Sequence, residues 1–498
     1  MAGRAVRRGR RRHAPAGGAE LHPGGVPVNA PKLSWSDLAG ARVGVWGLGR
    51  EGHANLRKLM ALGVEPVLVD DRPPAAVDGP PVLSRPVLAT GDGGLAALER
   101  CDVVIKTPGL SRYRPEVARL TGLGIPVVGG LGLWLAEADL RRVLVVTGTK
   151  GKSTTSSVTG HLLAGLGYRC MLGGNIGAPP YDPATDGDFD YWVIEVSSYQ
   201  ATDLPCSPPV VAVTSLHPDH LDWHGGVEQY YRDKLSACSQ PGAELTVANG
   251  DSDLLRERAG LLGPRVEWVR EDEEPGADWM EPLGLPGRHN RRNALIARRC
   301  LAALGVPGVG DDAGLRAAAA GYRPLPSRLT PVGTVDGVTF VDDSLSTNVL
   351  PTLAALDAFP GRRIALIVGG QDRGIDYAPL AAAVLAHPAP TFVLTLPDNG
   401  PRIRAQLEAA QLEAAQLEAA QLEAAQLEAA QLEAAQLEAA GFAGVTDCRD
   451  LDAAVAAGFG WARPEGVVLL SPAAPSFGRY RDYRDRGEAF ARAVRALS

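Results

Sequence analysis

The apolar run Val143-Leu144-Val145-Val146 leads into Gly148-Thr149-Lys150-Gly151-Lys152-Ser153-Thr154, and a stretch of small residues follows. A strand that turns through paired glycines into a helix beginning at Lys-Ser commits this part of the chain to an α/β layer. The glycine turn then lies at a sheet edge, where backbone N–H groups can wrap a phosphate chain. Lys152 can reach the outer phosphates, and the Ser153 hydroxyl can ligate magnesium. The spacing from Gly148 is shorter than the full Gly-x4-Gly-Lys-[Ser/Thr] pattern, but Thr147 preserves the strand-to-turn setting. The pattern predicts nucleotide triphosphate chemistry, with Gly148, Thr149, Gly151, Lys152, Ser153 and Thr154 as the phosphate-binding set.

At 498 residues the chain is too long for one core. A formal charge of −7 offers no broad cationic surface and argues against a nucleic-acid partner. The six cysteines stand singly, without metal-type pairing, which suits a reduced, cytoplasmic setting. No segment reads as an integral membrane span. The Arg-rich start passes into Ala, Gly and Pro and is expected to be a basic flexible tail over residues 1–30.

Three further units are expected, at 31–136, 137–323 and 324–498. In the first, Arg42 to Trp46 enters Gly47-Leu48-Gly49-Arg50-Glu51-Gly52, and a helix then leads to Val67-Leu68-Val69-Asp70-Asp71. That is a β-turn-α-β unit, which alone fits a dinucleotide or another phosphate-bearing ligand. In the second, Tyr191 to Val196 and Val210 to Thr214 read as strands of the sheet that carries the phosphate loop. In the third, Val332 to Val341 reads as a hairpin and Arg363 to Val368 as a buried strand.

Seven Gln-Leu-Glu-Ala-Ala units fill 406–440. They are strong helix formers, but a five-residue step turns each Leu by about 140° around an ideal helix, so no single apolar seam forms. The tract is expected to be a solvent-exposed helical insertion.

Glu195 closes an apolar strand and is followed by Val196-Ser197-Ser198-Tyr199-Gln200. Then come His217-Pro218-Asp219-His220-Leu221-Asp222 and Lys234. Ser153, Glu195 and His220 could form a hard-cation site, with Lys234 organising a second cation or a phosphate.

With Gly174-Asn175-Ile176-Gly177, Gly287 to Asn293, Asp342 to Asn348, and Leu470 to Phe477, these motifs resemble, in order and over most of the chain, the Mur ligase family in its glutamate-adding branch. The resemblance implies an α/β protein of three domains: Rossmann-like terminal domains flanking a central P-loop ATPase domain. It implies an ATP-dependent amide-forming ligase that uses Mg2+ and joins glutamate to UDP-N-acetylmuramoyl-L-alanine in peptidoglycan precursor synthesis. Gly47, Leu48, Gly49, Arg50, Asp70, Asp71 and Arg72 then become UDP-substrate residues. Lys152, Asn175, His220 and Lys234 become catalytic, with Lys234 carbamylated as a metal ligand beside Ser153, Glu195 and His220. Asn290, Asn293, Arg328 and Asp343 contact the nucleotide, and Ser471 and Phe477 contact glutamate.

One position departs from the family pattern. D-glutamate-adding relatives carry a Lys where Leu345 stands, which directs the reading toward the L-glutamate-adding sub-branch, whose product goes to an epimerase. D-glutamate addition, a folylpolyglutamate synthetase and a noncatalytic scaffold remain the alternatives.

Overall fold

The computed structural model describes residues 32–73, 86–274, 277–428 and 442–497. The expected basic tail lies outside the described residues, as does the last part of the repeat.

Short Val/Ile/Leu runs form three sheets with helices packed on them. The first holds β1 (Val43–Trp46), β2 (Val67–Asp70), β3 (Leu88–Ala89), β4 (Val103–Lys106) and β5 (Val127–Val128), in the order β3-β2-β1-β4-β5. All its pairings are parallel. The order reverses beside β1, so the Gly47 turn lies in the crevice where such sheets bind ligands.

The second sheet contains β6 (Val143–Thr147), β7 (Cys170–Gly174), β8 (Tyr191–Glu195), β9 (Val210–Val213), β10 (Leu245–Asn249) and β11 (Val266–Val269). It is also parallel, in the order β11-β10-β9-β6-β8-β7. Every residue of β6 is buried, as expected for a strand covered on both faces. Its C-terminal end delivers the phosphate loop between the ends of β8 and β9.

The third sheet holds β12 (Thr330–Val335), β13 (Val338–Asp342), β14 (Ile364–Val368), β15 (Thr391–Thr395), β16 (Phe442–Asp447) and β17 (Val467–Leu470), in the order β12-β13-β17-β14-β15-β16. The expected hairpin is β12–β13, antiparallel at the edge of an otherwise parallel sheet.

The first two sheets share a continuous core. Trp35, Val45 and Leu131 belong to the same buried cluster as Val145, Ile194 and Leu204. Trp35 Nε1 donates to Gly130 O at 3.2 Å, and the buried Lys106 ammonium pairs with Asp203 across the junction. The third sheet has its own two cores, one on each face.

The repeat begins inside the helix Gly400–Glu428. Ile403 and Leu407 are buried against the third sheet, whereas Leu412 and Leu417 are 60% and 61% exposed. The helix therefore docks by its first turns and leaves the sheet within the repeat.

Candidate active site

Gly148 and Gly151 hold φ of 130° and 91°, backbone positions that side chains avoid. A Cβ on Gly148 would lie 2.3 Å from Thr214 Oγ1, and one on Gly151 would lie 2.8 Å from Asn293 Oδ1. The loop is thus pressed between β9 and the helix Arg288–Ala303. Thr149 fastens it: its N–H donates to Ser215 O at 2.9 Å, and its hydroxyl meets Tyr230 OH at 2.9 Å. Lys152 opens the helix Lys152–Gly165, and its Nζ donates to Gly148 O and Thr149 O at 2.9 and 3.1 Å. Burial pulls its pKa down to about 8, partly countered by the Glu195 charge. Thr154 is buried behind it.

Around this loop the sequence-predicted residues converge. Glu195 ends β8 beside Val146 of β6, and its Oε1 accepts from Asn175 Nδ2 at 2.6 Å. Its Oε2 is buried without a partner. Lys234 is buried beside the loop, donates to Gly148 O at 3.0 Å, and is held well below the ordinary lysine range by burial and the nearby Lys152 charge. His220, at φ 52°, starts the turn Leu221–His224, and its ring lies 5.0 Å from that of Tyr199.

Among the described residues no three His, Cys, Asp or Glu side chains gather into a metal cage. The orphan Glu195 oxygen and the Ser153 hydroxyl are nevertheless the hard ligands magnesium takes when phosphate oxygens and water complete its shell. Lys234 as an ammonium is a donor and fits no metal, and its neutral amine suits hard magnesium poorly; a carbamate would give it the oxygen ligands magnesium takes.

The first sheet contributes its Gly47 turn. Leu48 N donates to Asp70 Oδ2 at 2.7 Å, and Arg72 N donates to Asp70 Oδ1 at 2.8 Å, so Asp70 braces the turn with both oxygens. Asp71 accepts from Thr90 and pairs with Arg114, and it is exposed together with Gly49, Arg50 and Arg72. Arg50 reaches across to donate to Asn175 O at 3.0 Å. Glu51, beside it, accepts from Gln200 Nε2 at 2.7 Å, and burial raises its carboxyl to about 7.

The third sheet reaches the loop through Arg328, whose Nη2 donates to Ser153 Oγ at 2.8 Å. Burial lowers the pKa of this guanidinium. Between the second and third units lies a cleft of about 700 Å³, lined by Met280, Leu283, Asn290, Arg291 and Ala358. Asn290 donates to Pro286 O and accepts from Asn293 at 3.4 Å.

Asp343 and Ser471 sit deeper than their assigned ligand roles require. Asp343 accepts from Leu329 N at 3.1 Å and from the Ser346 and Ser471 hydroxyls, and burial raises its carboxyl to about 7. Ser471 is fully buried, its hydroxyl held between Asp343 and Thr352. Ser476 is the serine that lines a small cavity with Phe477, together with Gly369, Gly370, Tyr480 and Arg486. Phe477 is half exposed, with the Arg373 guanidinium 5.8 Å from its ring centre.

The Mur ligase middle-domain profile matches residues 146–281, the stretch that holds the phosphate loop, Glu195, His220 and Lys234. A UDP-N-acetylmuramoyl-L-alanine–L-glutamate ligase of Micromonospora sp. is 41% identical over 480 residues, covering 92% of this chain and 98% of its own. Enzymes of the same name from Salinispora tropica and Xanthomonas axonopodis pv. citri are 40% and 38% identical, covering 98% and 95% of their lengths and 92% of this chain. The chain belongs to the Mur ligase family. The crystal structure of a UDP-N-acetylmuramate-alanine ligase from Thermotoga maritima shares the fold at TM-score 0.51 and 17% identity, over 92% of this chain and all of that one.

Like the rest of its family, this Mur ligase is an ATP-dependent amide-forming enzyme. Motif reading found the phosphate loop, Glu195, Asn175, Lys234 and Arg328, which the fold brings together. It did not single out Arg486, a candidate by its burial alone: Nε and Nη1 are unpartnered while Nη2 donates to Ser344 O and Ala474 O. A lone Arg in the helix Tyr483–Arg495 carries no local signal; only its burial beside the Gly370 backbone reveals it.

Proposed function

We propose that this Mur ligase uses ATP to join glutamate, as the L-isomer, to UDP-N-acetylmuramoyl-L-alanine during peptidoglycan precursor synthesis. The observation that carries the reading is the convergence of Lys152, Ser153, Glu195, Asn175, Lys234 and Arg328, drawn from two units, on one phosphate loop. The sub-branch rests on Leu345 standing where the D-glutamate-adding pattern has Lys, and on relatives whose names specify L-glutamate. The L-glutamyl product would then suit an epimerase.

Magnesium, held by Ser153 and Glu195 with His220 and a carbamylated Lys234 beside them, would neutralise phosphate oxygens. The chain's own groups do the rest. The N–H groups of residues 151–154, at the start of the helix Lys152–Gly165, and the Lys152 ammonium hold the β- and γ-phosphates, with Arg328 adding positive charge once it releases Ser153. Asn290 and Asn293 border the cleft that suits the adenosine half. Gly47, Leu48, Gly49, Arg50 and Arg72 offer N–H and guanidinium donors to the UDP moiety, with Asp70 and Asp71 shaping that turn. Arg50 and Asn175 place the alanyl carboxylate in line with the γ-phosphorus.

A carboxylate oxygen attacks that phosphorus and the P–O bond to ADP breaks. The glutamate amine then attacks the acyl carbon, and the C–O bond to phosphate breaks as the amine loses its proton. Arg486 and the Ser476–Phe477 cavity are the glutamate-carboxylate side of the reading, with Asp343 and Ser471 bracing that wall from within. If the carboxylate of the muramoyl substrate carries 18O, one labelled oxygen appears in the released phosphate. Phosphate free of label would reject the acyl-phosphate route.

A further inference from the structure

The helix Val227–Leu235 carries Lys234 into the phosphate loop, but its preceding residue, Asp233, faces the other way. Asp233 is fully buried, and each of its oxygens is occupied. Oδ2 meets His224 Nδ1 at 2.6 Å, and His224 Nε2 meets Ser198 Oγ at 3.0 Å. A carboxylate only accepts, so Nδ1 carries the proton. Oδ1 accepts from Tyr113 OH at 2.6 Å and from Gln229 Nε2 at 2.8 Å.

Tyr113 belongs to the first unit, in the loop after β4. That loop grips the same place twice more. Ser111 Oγ donates to Trp223 O at 3.2 Å, and Trp223 Nε1 donates to Gly109 O at 3.1 Å. The Tyr113 ring meets Trp223 edge-on at 6.1 Å. On its far side Trp223 lies 4.6 Å from Tyr199, whose ring also flanks His220 and His224.

We infer that Tyr113 and Asp233 form a positioning latch, by which the seating of the first unit's 109–113 loop sets Lys234 and His220 against the phosphate loop. The inference rests on the ligase reading above for its catalytic consequence and on geometry alone for the latch. Tyr113 touches neither the phosphate loop nor its lysines; it acts through Asp233. The geometry has a directional logic. The loop starts beside the Gly47 turn proposed for the UDP-sugar, the helix Val227–Leu235 carries Lys234 to the phosphate loop proposed for ATP, and Asp233 is the buried group that both sides hold. The β4 loop thus reports to the ATP side that the first unit is in place.

Tyr113→Phe removes one hydroxyl at a half-exposed ring and spares both cores. The latch predicts a kcat lower by about tenfold, the size of one lost hydrogen bond to a charged acceptor, and a higher half-saturating Mg2+ concentration, while KM for the UDP-sugar changes less than about twofold. The double variant with Asp233→Asn falls no further than Asp233→Asn alone, because both changes cut the same contact. In the substrate-free protein, Tyr113→Phe makes the amides of 227–235 exchange faster with solvent at an unchanged thermal midpoint. Wild-type kcat and Mg2+ response, fully additive losses, or unchanged exchange at 227–235 would each overturn the latch. Faster exchange in a protein that ligates no glutamate would uphold the latch and reject the ligase reading instead.

Discussion

At the level of single residues, the site shows how burial turns ordinary side chains into chemical ones. Burial lowers the pKa of both Lys152 and Lys234, but Lys152, at about 8, stays largely an ammonium near neutral pH, whereas Lys234 is held well below the ordinary range, and a neutral amine is the form that can take up carbon dioxide as a carbamate. Glu51 shifts the other way, its carboxyl raised to about 7 at the junction of the first two units. An acid whose folded pKa lies above its unfolded value favours the folded state at low pH, and that contribution disappears as pH rises through the folded value. The Tm of Glu51→Gln, read against wild type, therefore gains from pH 5 to pH 8, because the amide has no charge to bury. Parallel Tm profiles for the two proteins would contradict the shift. What the sequence tells at this scale is uneven. The strand, glycine turn and helix of the phosphate loop are legible because they follow from local sequence. Asp343 and Ser471 are legible as motif members but not as internal braces, since a linear motif does not say which way a side chain points.

Among the elements, strands such as β6 and the hairpin β12–β13 are legible because their hydrophobic runs are short, β-branched and bounded by turn residues. The helix Gly400–Glu428 is legible as a helix, but its docking is not. The repeat unit is the same at each Leu, and only the position of the third sheet decides that Leu407 is buried and Leu412 is not. Leu407→Ala is expected to cost about 2–5 kcal/mol, a loss visible as a clear drop in Tm. Leu412→Ala should stay within about 0.5 kcal/mol. Equal effects at the two positions would contradict a helix that leaves the sheet within the repeat.

For the whole molecule, the arrangement of the three sheets is what a linear reading lacks. The continuous core between the first and second sheets, the Lys106–Asp203 pair and the Arg328–Ser153 contact depend on residues far apart in the chain. No helix among the described residues is long and apolar enough to cross a membrane. The most direct test of the account supplies the purified enzyme with ATP, Mg2+, UDP-N-acetylmuramoyl-L-alanine and either pure L-glutamate or pure D-glutamate, then quantifies ADP and the UDP-linked product by chromatography. The account predicts ADP and product in equal amounts with L-glutamate, at a rate well above that with D-glutamate. Product from D-glutamate alone would contradict the sub-branch, and the absence of product and of substrate-dependent ADP with both isomers would contradict the ligase reading itself.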